Sequence, residues 1–163
     1  MLDHFWTSNE ALEFYSDSVG RTGSQRRLGI YFQGKWAQGS WPLDWAKNDI
    51  LRDIASLELF PVVVAIQLWG DQLKNKMMLF HIDNKSVTIL SKKSSKPCRF
   101  VSLVRKLILV SLRYNILIKG QYIIGKLNCI ADALSRCNWQ RFRELAPNAD
   151  HKRTHIPDHL WKI

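Results

Sequence analysis

The alternation of strand-like and helix-like segments in the second half of the chain limits the possible folds more than any other feature. Apolar spacing and capping residues predict helices over 56–69 and 100–114, and the apolar runs at 76–82 and 115–124 are typical of strands. A helix that joins two strands of one sheet forms a crossover connection, which places those strands parallel. These segments therefore predict parallel strands covered by helices.

The first half of the chain contains three short apolar runs separated by turn residues. The runs at 12–16, 28–33 and 36–41 are typical of strands, and Gly34 with Lys35 predicts a tight hairpin between the last two. Three strands joined by turns form an antiparallel meander, and the crossovers add parallel strands beside the first one. The predicted fold class is α/β, a five-stranded mixed sheet (antiparallel meander plus parallel strands) flanked by helices.

The C-terminal part of the chain shows little periodicity after a last predicted helix over 129–137. A length of 163 residues fits one domain with a tail, and an apolar content of 46% argues against disorder of the whole chain. We therefore predict one domain over 1–137 and a C-terminal tail or linker over 138–163.

Positive charge is concentrated in the middle of the chain. The formal net charge is +10, and the segment 71–113 contains ten Lys and Arg but only two Asp. For any single lysine a solvated surface position is the better interpretation. A whole segment of this density indicates contact with a polyanion through its phosphates.

The cysteines and the apolar runs indicate where such a protein works. The three cysteines are odd in number and form no CxxC pair, so the sequence suggests neither a disulfide framework nor a zinc site. No signal peptide pattern opens the chain, and the most apolar run, 59–66, is too short to span a bilayer. We therefore expect an intracellular protein with no membrane partner.

Four of the fourteen acidic residues occupy positions where acids are unusual. Asp17 and Asp83 end apolar strands, Glu58 lies inside an apolar run, and Asp132 opens the last predicted helix. Each one alone is explained by a turn or a helix terminus. Together they favour a site, because carboxylates are seldom buried unless they are paired or bound to metal.

The predicted topology brings these four carboxylates together. The first and fourth strands are neighbours, so Asp17 and Asp83 stand side by side, with Glu58 and Asp132 on the helices beside them. Four carboxylates this close repel one another, and the hard divalent ions Mg²⁺ or Mn²⁺ relieve that repulsion. Two such ions about 4 Å apart can activate a water and stabilise the leaving oxygen of a phosphodiester.

Several motifs around these acids resemble the ribonuclease H domain of long-terminal-repeat and related retroelements. The segment 125–136, GKLNCIADALSR, is similar to the end of that domain, and YSDS at 15–18 resembles its first acidic strand. LEL at 57–59 resembles its glutamate-bearing helix, and DNKS at 83–86 resembles its third acidic motif. Over about 12–161 the chain resembles the DIRS-like, tyrosine-recombinase retrotransposons, including YFQGKW at 31–36.

This resemblance implies a ribonuclease H-like fold and a nuclease that cuts the RNA strand of an RNA–DNA hybrid. It implies that two Mg²⁺ or Mn²⁺ ions are held by four catalytic residues, Asp17, Glu58, Asp83 and Asp132. The RNA–DNA hybrid is then the expected partner, together with a reverse transcriptase domain in the same polyprotein. The family usually has a GxGA run after the first Asp, where this chain has RTGSQRRLG at 21–29.

Other polar residues are candidates for contact with the nucleic acid. Asn84, Ser86 and Asn128 lie beside the acids and are candidates for recognising the 2′-hydroxyl, although local capping is an equally good interpretation. The candidates for phosphate contact are Lys92, Lys93, Lys96 and Arg99. Among the tryptophans, which are more often core residues, Trp41 and Trp45 are the best candidates for base stacking.

Two alternatives to an active ribonuclease H remain. A catalytically inactive module of the same fold, from a degenerate or truncated element, would only bind nucleic acid, and the altered segment 21–29 favours it slightly. A transposase or integrase shares the broad fold but typically has its glutamate late in the chain. Here the order is Asp, Glu, Asp, Asp, which favours ribonuclease H.

Overall fold

The computed structural model describes residues 11–19, 27–47, 50, 54–82, 98–123 and 127–162. The predicted short helix at 84–90 and the basic loop at 91–97 lie outside these ranges. The described strands are β1 Ala11–Val19, β2 Arg27–Phe32, β3 Lys35–Ser40, β4 Met77–Ile82 and β5 Leu117–Tyr122. The described helices are α1 Leu43–Lys47, α2 Ile54–Leu73, α3 Cys98–Tyr114, α4 Cys129–Ser135 and α5 Trp139–Leu145, followed by one 3₁₀ turn at Asp158–Trp161.

The five strands form one sheet in the order β3-β2-β1-β4-β5. β1, β2 and β3 pair antiparallel, whereas β4 and β5 extend the other edge of β1 as parallel strands. The predicted fold class is therefore confirmed: this is an α/β protein with a ribonuclease H-like fold, a mixed sheet flanked by helices. No helix within the described ranges is long and apolar enough to cross a membrane.

The hairpin between β2 and β3 turns one residue earlier than predicted. Its two central residues are Gln33 and Gly34, with φ of 48° and 83°. A two-residue hairpin with positive φ at both positions follows the right-handed twist of its strands, and glycine adopts that conformation without steric cost. Lys35, which the sequence placed in the turn, already pairs with Phe32 as the first residue of β3.

Helix α2 is longer than the predicted helix over 56–69. It begins at Ile54 and ends at Leu73, with a kink at Trp69, whose φ of −119° and ψ of 16° are not helical. Gly70, the predicted stop, lies inside the helix directly after this kink, and a Cβ there would lie 2.5 Å from the Tyr114 ring on α3. A glycine at this position thus lets the two helices pack closely. Residues 56–66 are all buried, as expected for a helix that is apolar on every side.

The sheet separates two cores. The larger core lies between the sheet and helices α2 and α3, and includes Phe14, Phe80 and Phe60. The smaller core lies on the opposite face, where α4 and α5 pack on β2 and β3 around Leu134 and Phe142. Alternation along each strand sends successive side chains to the two faces, so β1 presents Phe14 to one core and Asp17 to the face of α4.

Residues 138–162, predicted as a tail or linker, pack on the sheet. Phe142 is buried in the smaller core, and Ile156 and Leu160 are buried in the larger one. Trp161 reaches β3 at Gly39, where a Cβ would lie 2.6 Å from its ring. This segment is therefore part of the domain's packing, although its widely spaced apolar residues show no helical or strand period.

Trp41 and Trp45 are core residues, so the prediction that they stack bases is wrong. They are 5% and 3% exposed, and their rings stack on one another at 5.3 Å. Phe60 of α2 and Trp161 surround them with further ring contacts. The segment after β3, predicted as a polar connection, contains α1, whose Trp45 faces this aromatic cluster.

Candidate active site

Asp17 is buried on the face of the sheet that α4 covers. Its side chain is 6% exposed, and its Oδ2 accepts a 2.6 Å hydrogen bond from Oγ of Ser135 on α4. β1 continues to Val19, so Asp17 does not end the strand as predicted. It directly follows Ser16, which forms the last described parallel pair with Ile82, and it pairs with Gly29 on the antiparallel side. Asp17 therefore lies one residue beyond the last described pair of β1 with β4.

Helix α4 is attached to β1 at both of its ends. Before its first turn, Asn128 donates its side-chain N–H to the carbonyl oxygen of Ser16 at 2.9 Å, and its last residue, Ser135, binds Asp17. Asp132 occupies the first turn between these two contacts. The two hydrogen bonds hold the Asp132-bearing turn beside the end of β1.

Gly29 allows this close approach of α4 to the sheet. It lies directly opposite Asp17 in the register of β1 and β2. A Cβ at this position would lie 2.7 Å from the Cβ of Leu134 and 2.8 Å from the backbone oxygen of Ala131. Neither atom can move without displacing the helix, so only glycine fits under α4 in this arrangement.

Asp132 is partly exposed and forms an ion pair with Arg136. Nε of Arg136 lies 2.8 Å from Oδ1 of Asp132, and the two side chains are 54% and 39% exposed. An exposed pair one helical turn apart contributes little stability, typically less than about 1 kcal/mol. A cation bound beside Asp17 could therefore compete with Arg136 for this carboxylate at small cost.

Glu58 is the second buried carboxylate, at 7% exposure, in the second turn of α2. Its backbone neighbour Leu57 explains how this turn is held against β1. Pro61 has no N–H, so it cannot donate the usual helical hydrogen bond to the carbonyl oxygen of Leu57. That oxygen instead accepts a 2.8 Å hydrogen bond from Oγ of Ser18, the residue after Asp17. The proline thus frees a helix carbonyl that ties the Glu58 turn to the Asp17 strand.

Replacing Ser18 with alanine should lower the free energy of unfolding by about 1–3 kcal/mol, because it leaves the Leu57 carbonyl without this donor. The same substitution should cost less than half as much in a Pro61→Ala background, where residue 61 regains an N–H for that carbonyl. Urea unfolding of the wild type, both single variants and the double variant gives the coupling between the two positions. Additive effects would show that the hydroxyl of Ser18 does not replace the missing helical donor.

Three of the four predicted acids therefore lie on β1 itself or on a helix that is hydrogen-bonded to residues 16–18 of β1. Asp83, the fourth, directly follows Ile82 in the chain and lies outside the described residues. Within the described ranges, no three His, Cys, Asp or Glu side chains form a group that could hold a metal ion. Two buried carboxylates and a third close by in the fold are nevertheless the hard oxygen donors that Mg²⁺ or Mn²⁺ prefers. The donor chemistry fits such ions, and Asp17 has only a neutral hydroxyl as its described partner.

The predicted contacts with nucleic acid are mostly outside the described part of the chain. The candidates that fall outside the described ranges, at 83–97, are Asn84, Ser86, Lys92, Lys93 and Lys96.

The two remaining candidates for nucleic-acid contact are described at least in part. Arg99 is the second residue of α3, and only its backbone position is described. Asn128 is 1% exposed and bonded to Ser16, so it attaches α4 to β1 and does not present its amide to a substrate.

The side chain of His81 is 12% exposed and lies against residues of β1. Its ring stacks on Tyr15 of β1 at 4.6 Å, and its Nε2 lies 3.4 Å from Oε1 of Glu13. Burial, and then the neighbouring Glu13 carboxylate, raise the pKa of Tyr15 above its ordinary value. Tyr15 therefore stays neutral at physiological pH, within hydrogen-bond distance of Glu13.

Sequence reasoning missed three residues that shape the site: Ser18, Gly29 and Ser135. One signal was present, since a proline four residues after Leu57 predicts a carbonyl that needs another donor. No local pattern marks Gly29 or Ser135, because their roles depend on contacts between distant segments.

No protein-family model and no curated protein matches the chain. The resemblance to retroelement ribonucleases H therefore stays a prediction that rests on the motifs themselves.

Proposed function

We propose that this protein is a metal-dependent nuclease that cleaves phosphodiester bonds at the end of β1. The observation that carries the proposal is the pair of buried carboxylates, Asp17 and Glu58, on a strand and a helix that pack together and are linked by the hydrogen bond from Ser18 to Leu57. Asp132 lies on α4, which is hydrogen-bonded to Ser16 and Asp17 of β1, and Asp83 follows the strand that pairs with β1. Carboxylates are rarely buried unless they are paired or bound to metal.

More specifically, we propose an intracellular ribonuclease H that cuts the RNA strand of an RNA–DNA hybrid during retrotransposon reverse transcription. The motif resemblance and the order Asp, Glu, Asp, Asp support this activity, and the ribonuclease H-like fold agrees with it. A reverse transcriptase domain in the same polyprotein is the expected partner.

Asp17, Glu58, Asp83 and Asp132 would hold two Mg²⁺ or Mn²⁺ ions, which when bound supply a nucleophilic hydroxide and stabilise the leaving oxygen. Ser135 donates to Oδ2 of Asp17, so Oδ1 would be the oxygen available to bind an ion. The hydrogen bond from Ser18 attaches the Glu58-bearing turn of α2 to the strand that carries Asp17. The basic segment 71–113 would bind the phosphate backbone, whereas the acidic residues would bind the metal ions.

One observation favours the second candidate, an inactive module that only binds nucleic acid. Asp132 is paired with Arg136 in the described arrangement, and its carboxylate does not complete a three-ligand group with Asp17 and Glu58. If the ion pair persists when ions and substrate are present, the chain would bind the hybrid without cutting it.

The deciding experiment is cleavage of an end-labelled RNA–DNA hybrid by the purified chain in Mg²⁺ or Mn²⁺. We expect cuts in the RNA strand only, none with a chelator, and none in double-stranded DNA of the same sequence. Glu58→Gln should abolish cutting while the variant still binds the hybrid. Binding without cutting by the wild-type chain would instead support the inactive module.

A further inference from the structure

We propose that a cleft beside α5 binds one single-stranded segment of nucleic acid, outside the candidate active site. The cleft has a volume of about 380 Å³ and is lined by Trp36, Trp139, Arg143, His151 and Arg153. We call it the aromatic-basic cleft. The choice of nucleic acid as its occupant rests on the proposed function, whereas its shape and charge are independent of the carboxylates.

Trp139 provides an exposed aromatic surface in this cleft. It is the first residue of α5 and is 43% exposed, which is unusual for so large an apolar side chain. Its ring lies 5.6 Å from that of Trp36, which is buried at 5% exposure and tilted by 53° to it. The buried ring supports the exposed one, so Trp139 is held in place with part of its surface open to stacking by a nucleobase.

Two arginines place positive charge beside this surface. The guanidinium of Arg143 lies over the Trp36 ring at 5.8 Å and donates to the carbonyl oxygens of Ala149, Asp150 and His151. Arg153 is exposed and donates to the side-chain oxygen of Gln38. All of these acceptors are neutral.

These charges are not balanced by carboxylates in the described part of the chain. No ion pair of either arginine occurs there. The hydrogen bonds therefore fix the charges in position without neutralising them. An aromatic surface next to two fixed positive charges matches a nucleobase joined to its phosphates.

The exposed ring in the cleft favours a single strand. The cleft, of about 380 Å³, is open to solvent and has room for one small ligand. In a duplex the bases are stacked on one another inside the helix, so their faces cannot stack on Trp139. A strand that leaves a hybrid can offer both an open base and its phosphates.

The cleft lies on the same face of the sheet as the Asp17 carboxylate. Trp36 belongs to the same buried cluster as Ala133 and Leu134 of α4, which follow Asp132 in sequence. α4 packs on β1, which carries Asp17, and on β3, which carries Trp36, so one helix contacts both strands. A strand bound in the cleft would be an extension of a substrate whose hybrid part lies at the carboxylates.

Fluorescence anisotropy of the full chain with labelled oligonucleotides tests this proposal. The probes are a short single-stranded RNA, a blunt RNA–DNA hybrid, and the same hybrid with a single-stranded extension. We expect Trp139→Ala to weaken single-strand binding by roughly tenfold or more, the usual effect of removing a stacked aromatic ring, and Trp139→Phe to retain most of it. Binding of the blunt hybrid should not change.

Leu145→Ala is the matched control, because Leu145 is similarly exposed, at 39%, on the same helix but does not line the cleft. Arg153→Gln is a second test that does not depend on Trp139, and it should reduce the salt dependence of single-strand binding by about one counterion. Thermal unfolding of each variant separates loss of folding from loss of binding. Equal effects of Trp139→Ala and Leu145→Ala, or equal losses for blunt and single-stranded probes, would overturn the proposal.

The two proposals fail in different ways. If the wild-type chain cuts the blunt hybrid but Trp139→Ala binds single strands normally, only the cleft is wrong. If no hybrid is cut but single-strand binding still depends on Trp139 and Arg153, the cleft proposal is supported and the nuclease proposal is wrong.

Discussion

Replacing Asp17 with asparagine should reduce metal-dependent cleavage of the hybrid at least about a hundredfold. A carboxylate bound to a catalytic ion contributes several kcal/mol to transition-state stabilisation, and each 1.4 kcal/mol is about tenfold in rate. Asparagine has nearly the same shape and can still accept the hydrogen bond from Ser135, so the loss would come from the missing charge. Cleavage of the labelled hybrid under single-turnover conditions measures it.

Stability provides an independent measurement of the same substitution. Without added ions, Asp17→Asn should unfold at the same temperature as the wild type or higher, because it removes a buried charge whose described partner is only a neutral hydroxyl. Adding Mn²⁺ should stabilise the wild type by about 2.7 kcal/mol at a concentration one hundred times its dissociation constant, but should stabilise the variant much less. The variant is thus expected to be at least as stable as the wild type without ions but to gain less stability from Mn²⁺. A general loss of structure would instead lower its stability without ions.

Asp71→Asn is the control for this prediction. Asp71 is exposed near the other end of α2, so its replacement removes the same charge from the same protein without touching the site. It should cut the hybrid at the wild-type rate and retain the Mn²⁺ stabilisation. If Asp17→Asn also cuts like the wild type, Asp17 is not a metal ligand and the proposed active site is wrong.

The strand order could be predicted because it follows from local patterns and chain connectivity. Three apolar runs with turns between them can form a meander, and two crossover helices oblige the later strands to lie parallel to the first. The observed order β3-β2-β1-β4-β5 agrees with that reasoning. The errors are in element ends: α2 kinks at Trp69 but continues past its predicted stop to Leu73, and Gly70 packs against Tyr114, a contact between helices that local sequence does not specify.

The packing of the C-terminal segment could not be predicted from periodicity. Helix α5 is only seven residues long, and Phe142, Ile156 and Leu160 each enter a core separately. Trp161 inserts among rings that come from α1 and α2. Such burial depends on where the chain returns to the sheet, so a polar and aperiodic sequence with a few large apolar residues resembles a linker.

The acidic residues of the candidate site could be predicted from the sequence, but the residues that position them could not. Acids in apolar surroundings are visible in the sequence, since burial of a carboxylate is costly wherever it occurs. Ser135 and Asp17 are 118 residues apart, and Ser18 and Leu57 are 39 apart, so these hydrogen bonds exist only once the sheet has formed. The ion pair of Asp132 with Arg136 is local, at one helical turn, and that spacing could have been read from the sequence.

Gly29→Ala should damage both stability and the site, because it separates α4 from the sheet. The added Cβ would lie 2.7 Å from the Cβ of Leu134 and 2.8 Å from backbone atoms of Ala131 and Ser135. Backbone atoms of a packed helix cannot rotate away, so the whole of α4 must shift. Overpacking of this kind typically costs about 1–3 kcal/mol of unfolding free energy.

The shift of α4 should also weaken metal binding and cleavage beyond what the loss of stability explains. Ser135 would move away from Asp17, which breaks the 2.6 Å hydrogen bond that orients the carboxylate, and Asp132 would move with the same helix. Loss of a group that orients a ligand typically reduces metal affinity or activity by about ten- to a hundredfold. Mn²⁺ titration and hybrid cleavage, both well below the unfolding temperature of the variant, measure this effect on folded protein.

Gly39→Ala separates damage to the site from damage to the fold. Gly39 is also a strand glycine with no room for a Cβ, but its neighbour at 2.6 Å is the outer edge of the Trp161 ring on the opposite side of the sheet. A side-chain ring can move where a helix backbone cannot, so Gly39→Ala should cost less stability and leave Mn²⁺ binding unchanged. If both variants lose stability and keep wild-type metal affinity, the contact between α4 and Gly29 supports the fold alone and does not position Asp17 and Asp132.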